Sequence, residues 1–435
     1  MDSRALTKIQ SIILISIIVV AAVGGVTAYL LLNGKSSETI KMGFLGDLDG
    51  VLGRPNWQGA KLAVEEINAE GGILGRQVEL IGEDHDGGVD PVILTNALTR
   101  LITVHKVDFI VGGGGGGQAE FLVQDIIAQH KIICISGQTT PDDITQRVQD
   151  DYDTFRYYFS MQFNDTSGKL GMTDSMIYVR ELTGFNKVGY LAEDLDWNKA
   201  MRELFDVFLP ENGFELVYKG TFPLGTMDFS SYFAAAEAAG VEVLLPLIAL
   251  DGGIPFCKEY YDRQSPMLVF GGVNSLASNP NGWEWTEGKC NHMDFGTVPT
   301  TAGYPFTSKT LQTRDAYMTR WGETITWGAA DSYDGIKFIL ADAIERAGTI
   351  ETDAVIEALE ETSVETSNAR NFVFTENHAL MMGKDANDPN EDYPIVMGFQ
   401  WQDGVQVPVD PRKIMEEAGA SLTFPDWPGP WNHIS

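Results

Sequence analysis

Six consecutive glycines, Gly112 to Gly117, followed by Gln118 at the head of an expected helix, form the stretch of this 435-residue chain whose chemistry is simplest to state. Main-chain N–H groups without neighbouring Cβ atoms are unobstructed, and at a helix N-terminus both these donors and the helix dipole favour an anion. The run therefore reads as an anion cradle or as a merely flexible turn, with Gly115, Gly116, Gly117 and Gln118 as its candidate contacts. A dinucleotide fits less well, because the glycines follow the third expected strand rather than the first and no GxxxxGK[ST] string occurs. A second polar loop, Ile135 to Gln146, brings Gln138, Thr139 and Thr140 ahead of Pro141-Asp142, where Thr140 can also cap the next helix. In a third, Asp47 and Asp49 resemble an acid/base pair, yet the chain has no GxSxG elbow, no HExxH and no CxxC, and its histidines are scattered. Catalysis, a structural metal and a cofactor are therefore not expected.

Loops of this kind need a rigid frame, and the pattern around them supplies one. Met42, Phe44 and Leu45 form a short apolar run that predicts a buried parallel strand ending at Gly46. Ala60, Ala63, Val64 and Ile67 share one face of the helix that follows, with Asn56 as its expected N-cap and Gly71-Gly72 as its left-handed exit. Strands are then expected at Gln77 to Glu83, Val107 to Gly113 and Lys131 to Ser136, separated by helices at Pro91 to Val104 and Gln118 to Gln129. Such alternation predicts a doubly wound parallel sheet. After Phe155 to Met161 and a helix at Asp165 to Leu182 the pattern restarts, with strands near Lys187, Glu215, Val241 and Leu268. The helix containing Ile336, Ile339, Leu340 and Ile344, and the strands at Arg370 to Phe374 and Ile395 to Trp401, are expected to return across the junction. Two α/β lobes linked by several crossovers make a hinge.

The formal charge of −31 and the lack of any basic run exclude nucleic acid as a partner. Arg4 and Lys8 precede an uncharged apolar run from Ser11 to Leu32, which as a helix spans roughly 33 Å at about 1.5 Å per residue, enough to cross a bilayer. The positive flank points inward, so the chain after Lys35 is expected outside the cytoplasmic membrane, anchored by an uncleaved helix. Cys134 lies in the apolar run KIICIS and reads as a buried core thiol, while Cys257 and Cys290 are free to pair in that compartment.

The string EEINAEGGILGR, followed by the strand QVELIGEDHD and a helix begun by Asp90-Pro91, resembles the opening of the type I periplasmic solute-binding proteins, the leucine/isoleucine/valine-binding family of ABC importers. The likeness runs from about Ile40 to Trp401 and thins after Gly282. It implies two Rossmann-like lobes: 38–161 with about 303–390, and 162–302 with about 391–435, preceded by the membrane helix and tether in 1–35. It also implies a small solute gripped between the lobes, an ABC permease as partner and a monomeric ectodomain. By that resemblance Thr140 gives its N–H and hydroxyl to a ligand carboxylate, beside Thr139 and the Gln138 carbonyl. Trp197 stands where the family has a tyrosine over the ligand, and Trp57 joins the set from the first helix. Where the family carries an acid for the ligand ammonium, this chain reads Val273-Asn274-Ser275. An enclosed ammonium needs a counter-charge or several acceptors, so Asp49, Asp196, Asp251 and Asn274 are candidates, and an amide, a small peptide or a carboxylate without an ammonium are alternative ligands. The glycine loop also lacks the family's hydroxyls, leaving backbone amides to take their place.

A sensor ectodomain of the same fold is the nearest rival, though a second membrane segment would then be expected and none follows Trp401. The Pro/Trp-rich C-terminus, FPDWPGPWNHIS, is expected to pack on its own lobe.

Overall fold

A computed structural model describes residues 38–434 except 51–52, 89, 139–140, 196–197, 250–251, 274–275, 277–280, 384–393 and 395–396, and gives no side-chain account of 167–174 and 200. The apolar N-terminal run lies outside the described residues, among which no helix is long and apolar enough to cross a membrane.

The first sheet has five parallel strands in the order β2-β1-β3-β4-β5: β1 (Ile40–Gly46), β2 (Val78–Asp84), β3 (Phe109–Gly112), β4 (Cys134–Ser136) and β5 (Tyr158–Ser160). In β1 every residue except Lys41 is buried, which explains its unbroken apolar reading: helices cover both faces. The helices between these strands are α1 (Gly53–Ala69), α2 (Pro91–Thr99), α3 (Ala119–His130) and α4 (Asp142–Asp150). Helix α1 begins at Gly53, so Asn56 lies inside its first turn and is not its N-cap. Asn56 packs instead against Gly328. Asp90 caps α2 as its sequence suggests, accepting from the Val92 N–H at 2.7 Å.

The chain then enters α5 (Asp165–Thr183) and a second parallel sheet, ordered β7-β6-β8-β9, from β6 (Lys187–Glu193), β7 (Glu215–Phe222), β8 (Val243–Leu247) and β9 (Leu268–Val269). Helices α6 (Lys199–Glu211), α7 (Ser230–Ala238) and α8 (Gly253–Arg263) complete this lobe. A crossover through β10 (Asp294–Thr297) leads back to α9 (Thr310–Trp321) and α10 (Trp327–Asp334). A small hairpin of β11 (Ser363–Val364) and β12 (Phe372–Val373) follows, and the chain then returns to β13 (Met397–Gln402) and β14 (Val405–Asp410). β10, β13 and β14 form an antiparallel sheet of their own.

Two large hydrophobic cores result, with a small third cluster of Phe306, Met397, Phe399 and Ile414. One joins the first sheet to residues 317–374, and the other joins the second sheet to Phe295, Trp401, Trp427 and Trp431. Helix α10 reaches the first core because α1 lets it lie close: a Cβ at Gly59 would stand 2.1 Å from the Ala329 carbonyl oxygen. Further along, Tyr333 donates to Glu66 at 2.6 Å and Lys337 pairs with Glu70 at 2.9 Å. The two helices therefore run parallel, and their N-terminal ends lie together.

All three cysteines are free and buried, Cys134 in the first core and Cys257 and Cys290 in the second. Burial pushes the Cys290 thiol up to about 11. The aromatic tail packs on its own lobe, as its composition suggested: the Trp427 indole donates to the Ser265 carbonyl at 3.0 Å, with its ring 5.4 Å from those of Tyr260 and Tyr261. Trp427→Ala is expected to lower the unfolding free energy of the second lobe by about 3–5 kcal/mol. Exposed Leu311→Ala should change it by less than about 0.5 kcal/mol. Urea titration of the two variants followed by circular dichroism checks both values.

Candidate functional site

Parallel pairing lines up the carboxyl ends of the first sheet, with Leu45 opposite Gly112, Gly112 opposite Ser136, and Ser136 opposite Ser160. The loops that leave this row are the glycine run, Gly137-Gln138, and the first crossover beginning at Met161. Ligands of open α/β sheets bind at such ends.

The glycine loop is folded around a side chain of its own helix. Glu120, in the first turn of α3, is fully buried. Its carboxylate accepts the Gly114 N–H, the Ser136 hydroxyl at 3.0 Å and the Tyr158 hydroxyl at 2.7 Å, with a further bond from the Gly116 amide. The acceptor that meets the loop's amides is thus a carboxyl of the chain itself. Burial outweighs these donors and holds the Glu120 carboxyl above its ordinary value. It also pushes the Tyr158 hydroxyl well up. Gly115 is exposed, with Gly116 and Gly117 half-buried and Gln118 exposed beside them. Gly88 closes the loop from outside, where a Cβ would strike the Gly114 carbonyl at 1.8 Å and φ is +71°.

The loop after β1 is shaped by acids that serve the backbone. Asp47 accepts the Gly50 N–H at 2.9 Å and Asp84 accepts the Leu48 N–H at 3.2 Å, while Asp49 is exposed. Trp57 lies half-buried over Phe44, its ring 5.3 Å away, with the Lys61 ammonium 4.6 Å above it. His85, at the end of β2, is buried with Nδ1 unpartnered among the described residues, and burial pushes its imidazole below the usual range. Gln138 is half-buried, and its N–H donates to Ser136 Oγ at 3.3 Å. Thr139, Thr140, Asp196, Trp197, Asp251 and Asn274 lie outside the described residues. On the second lobe the bases of two of these loops are tied together: Glu193 accepts the Ala249 N–H at 2.9 Å and, through its carbonyl, the Asn198 amide at 2.7 Å.

A cavity of about 640 Å³, counting its mouth, lies at the crossovers. Met161, Phe163, Trp327, Phe372, Leu380 and Met397 supply much of its apolar wall, and Gln162, Thr297, Asp331, Asp334 and Asn368 its polar groups. Gln162 donates its amide to Asp331, and the Phe163 and Trp327 rings are 5.8 Å apart. Asp334 accepts the Ser367 N–H and hydroxyl at 3.1 and 2.9 Å through one oxygen. A small, mostly apolar chamber with a few convergent polar groups is the usual form of a solute site.

A sequence profile described as periplasmic binding protein matches residues 39–384. The chain belongs to the periplasmic binding protein family. It is a solute-binding protein of the extracytoplasmic space and not an enzyme. It is 27 % identical over 410 residues to the Leu/Ile/Val-binding protein homolog 7 of Brucella melitensis, covering 89 % of this chain and 95 % of that one. Among solved structures, a branched-chain amino acid transporter substrate-binding protein from Streptococcus pneumoniae in complex with isoleucine superposes with a TM-score of 0.68 at 20 % identity, over 85 % of this chain and all of that one. An ABC transporter substrate-binding protein from Sphaerobacter thermophilus gives 0.69 at 21 %, over 86 % and 97 %. These likenesses establish the two-lobed α/β fold of this periplasmic binding protein.

Sequence reasoning passed over Glu120, Ser136 and Tyr158, and also Gln162 and Asp331. Glu120 had one visible signal: an acid in the first turn after a glycine run can turn back onto the freed amides. Glu120→Ala, which leaves two amides and two hydroxyls unpaired beside a void, is expected to destabilise the first lobe by about 3 kcal/mol. Glu120→Gln can reuse the same donors if the hydroxyls turn to accept. Because the folded-state pKa is raised, wild type binds the proton more tightly when folded, so its advantage over Glu120→Gln should shrink as pH rises from the ordinary carboxylate range through the raised value. Denaturant titrations at several pH values read both effects.

Proposed function

We propose that this periplasmic binding protein captures a branched-chain amino acid, or a closely similar small carboxylate, between its lobes and presents the closed form to an ABC permease. The single observation that carries this reading is the crossover cavity: its apolar wall suits an aliphatic side chain, and of its polar groups Gln162 follows β5 and Asp331 lies beside Gly137 after β4. The names of the relatives and the isoleucine held by the pneumococcal protein support the same ligand class. Thr139 and Thr140 are the hydroxyl donors for the ligand carboxylate, with the Gln138 carbonyl beside them. Since Gly114 and Gly116 already serve Glu120, Gly115, Gly117 and Gln118 are left as the loop's contribution. Trp197 covers the ligand from the second lobe, and Trp57, Asp49, Asp196, Asp251 and Asn274 are further contacts at the loop ends. The lobes are taken as 38–161 with about 303–390 and 162–302 with about 391–435, an assignment that the two cores support. The apolar run from Ser11 to Leu32 serves as the anchor that holds the lobes at the outer face of the membrane.

Closure is a population shift, since a ligand that touches both lobes only in the closed state draws the hinge shut by that difference in contact. A thermal-shift screen of the full-length protein in mild detergent against amino acids, amides, short peptides and organic acids tests the reading. Leucine, isoleucine or valine at 100 times its Kd should stabilise the protein by about 2.7 kcal/mol and raise Tm accordingly. A rise with peptides or amides alone would refute the assignment.

A further inference from the structure

The chain carries Asn274 where its relatives' acid for the ligand ammonium is expected, yet two carboxylates line the crossover cavity. Asp331 and Asp334 are one turn apart on α10, and each is held above the ordinary carboxylate range, chiefly by burial. Asp331 adds to this the charge of Asp334. Asp334 is 3 % exposed, and its Oδ1 has no partner among the described residues; Thr297, also 3 % exposed, has an unpartnered Oγ1 on the same cavity. Unsatisfied acceptors at a buried position are costly unless something donates to them. The Ser367 N–H and hydroxyl and the Thr366 hydroxyl serve Asp334, which leaves Oδ1 as the open acceptor. Lys309 acts on Asp334 through its charge, while its ammonium donates to the Glu365 carbonyl and lies 3.9 Å over the Phe338 ring.

Asp331 is also well placed toward the loop that should hold the ligand's other end. A Cβ at Gly137 would lie 3.8 Å from Cβ of Asp331, and Gly137 is followed directly by Gln138, Thr139 and Thr140. The amide of Gln162 and the indole of Trp327 both donate to Asp331, which fixes the carboxylate while leaving lone pairs for further donors.

We propose that Asp331 is the counter-charge for the ligand ammonium, so that the acid missing from the second lobe is replaced by one on the returning helix of the first, with Gln162 and Trp327 as its positioning residues and Asp334 deepening the negative field of the cavity. The assignment rests on the amino-acid reading above. It implies that the head group of the ligand is held almost wholly by the first lobe, carboxylate on the Gln138–Thr140 loop and ammonium on Asp331, and that the second lobe contributes cover rather than charge.

The test compares L-isoleucine with 3-methylpentanoate, which has the same carbon skeleton without the ammonium, by calorimetry on full-length wild type and Asp331→Asn. Wild type should prefer isoleucine, and Asp331→Asn should bind it at least about 30-fold more weakly while holding 3-methylpentanoate as well as before or better. Asp331→Ser repeats the measurement if the amide variant does not fold. Isoleucine binding that is unchanged in the variants, or a wild type that does not discriminate between the two compounds, would overturn the counter-charge assignment alone. A wild type that binds neither compound would overturn the branched-chain reading and this inference with it.

Discussion

The close parallel contact between the first helix and the helix that returns from the second lobe is the constraint on which the site depends. Gly59 lies against the Ala329 backbone, and no larger residue could stand there without parting the helices. That approach puts the N-terminal end of α10 beside the carboxyl ends of the first sheet, although some 270 residues of chain separate them. Trp327 and Asp331 reach the crossovers for this reason, and the cavity has a wall there. The ion pairs and the Tyr333 hydroxyl further along the same pair of helices keep the register.

The glycine loop illustrates how a protein can occupy its own anion site. A run of bare amides at a helix N-terminus attracts negative charge, and the nearest available charge is Glu120, three residues past the last glycine. Enclosed by Ser136, Tyr158 and the loop, that carboxylate couples the ends of β3, β4 and β5 in one hydrogen-bonded cluster. The loop is thereby tied to the strand ends, and fewer of its amides stay free than six glycines suggest.

Two carboxylates at the crossovers are held in a similar way: the Gln162 amide and the Trp327 indole bond Asp331, and Ser367 and Thr366 bond Asp334, whose Oδ1 has no partner among the described residues. A binding protein gains from such a site, because a cation that enters it is stabilised only where both the acid and the apolar wall enclose it.

The alternation of strand and helix, the two lobes and the loops at strand ends were legible in the sequence, since periodicity and glycine punctuation are local properties. Cys134 as a core thiol and the docking of the Trp-rich tail were legible for the same reason: apolar surface has to be buried somewhere near. The N-cap assigned to Asn56 was not, because the helix already begins at Gly53, with the Arg54 N–H bonded back to the Gly50 carbonyl. Nor could the partner of the glycine amides be read with certainty, as Ser136 and Tyr158 meet Glu120 only once three strands are aligned. The role proposed for Asp331 could not be read in the sequence, because Gly137 and Gln162 are brought to it only by the fold. Local strings and periodicity thus pointed to the family and to its α/β fold, whereas the surroundings of Glu120, Asp331 and Asp334 were decided by contacts between segments far apart in the chain.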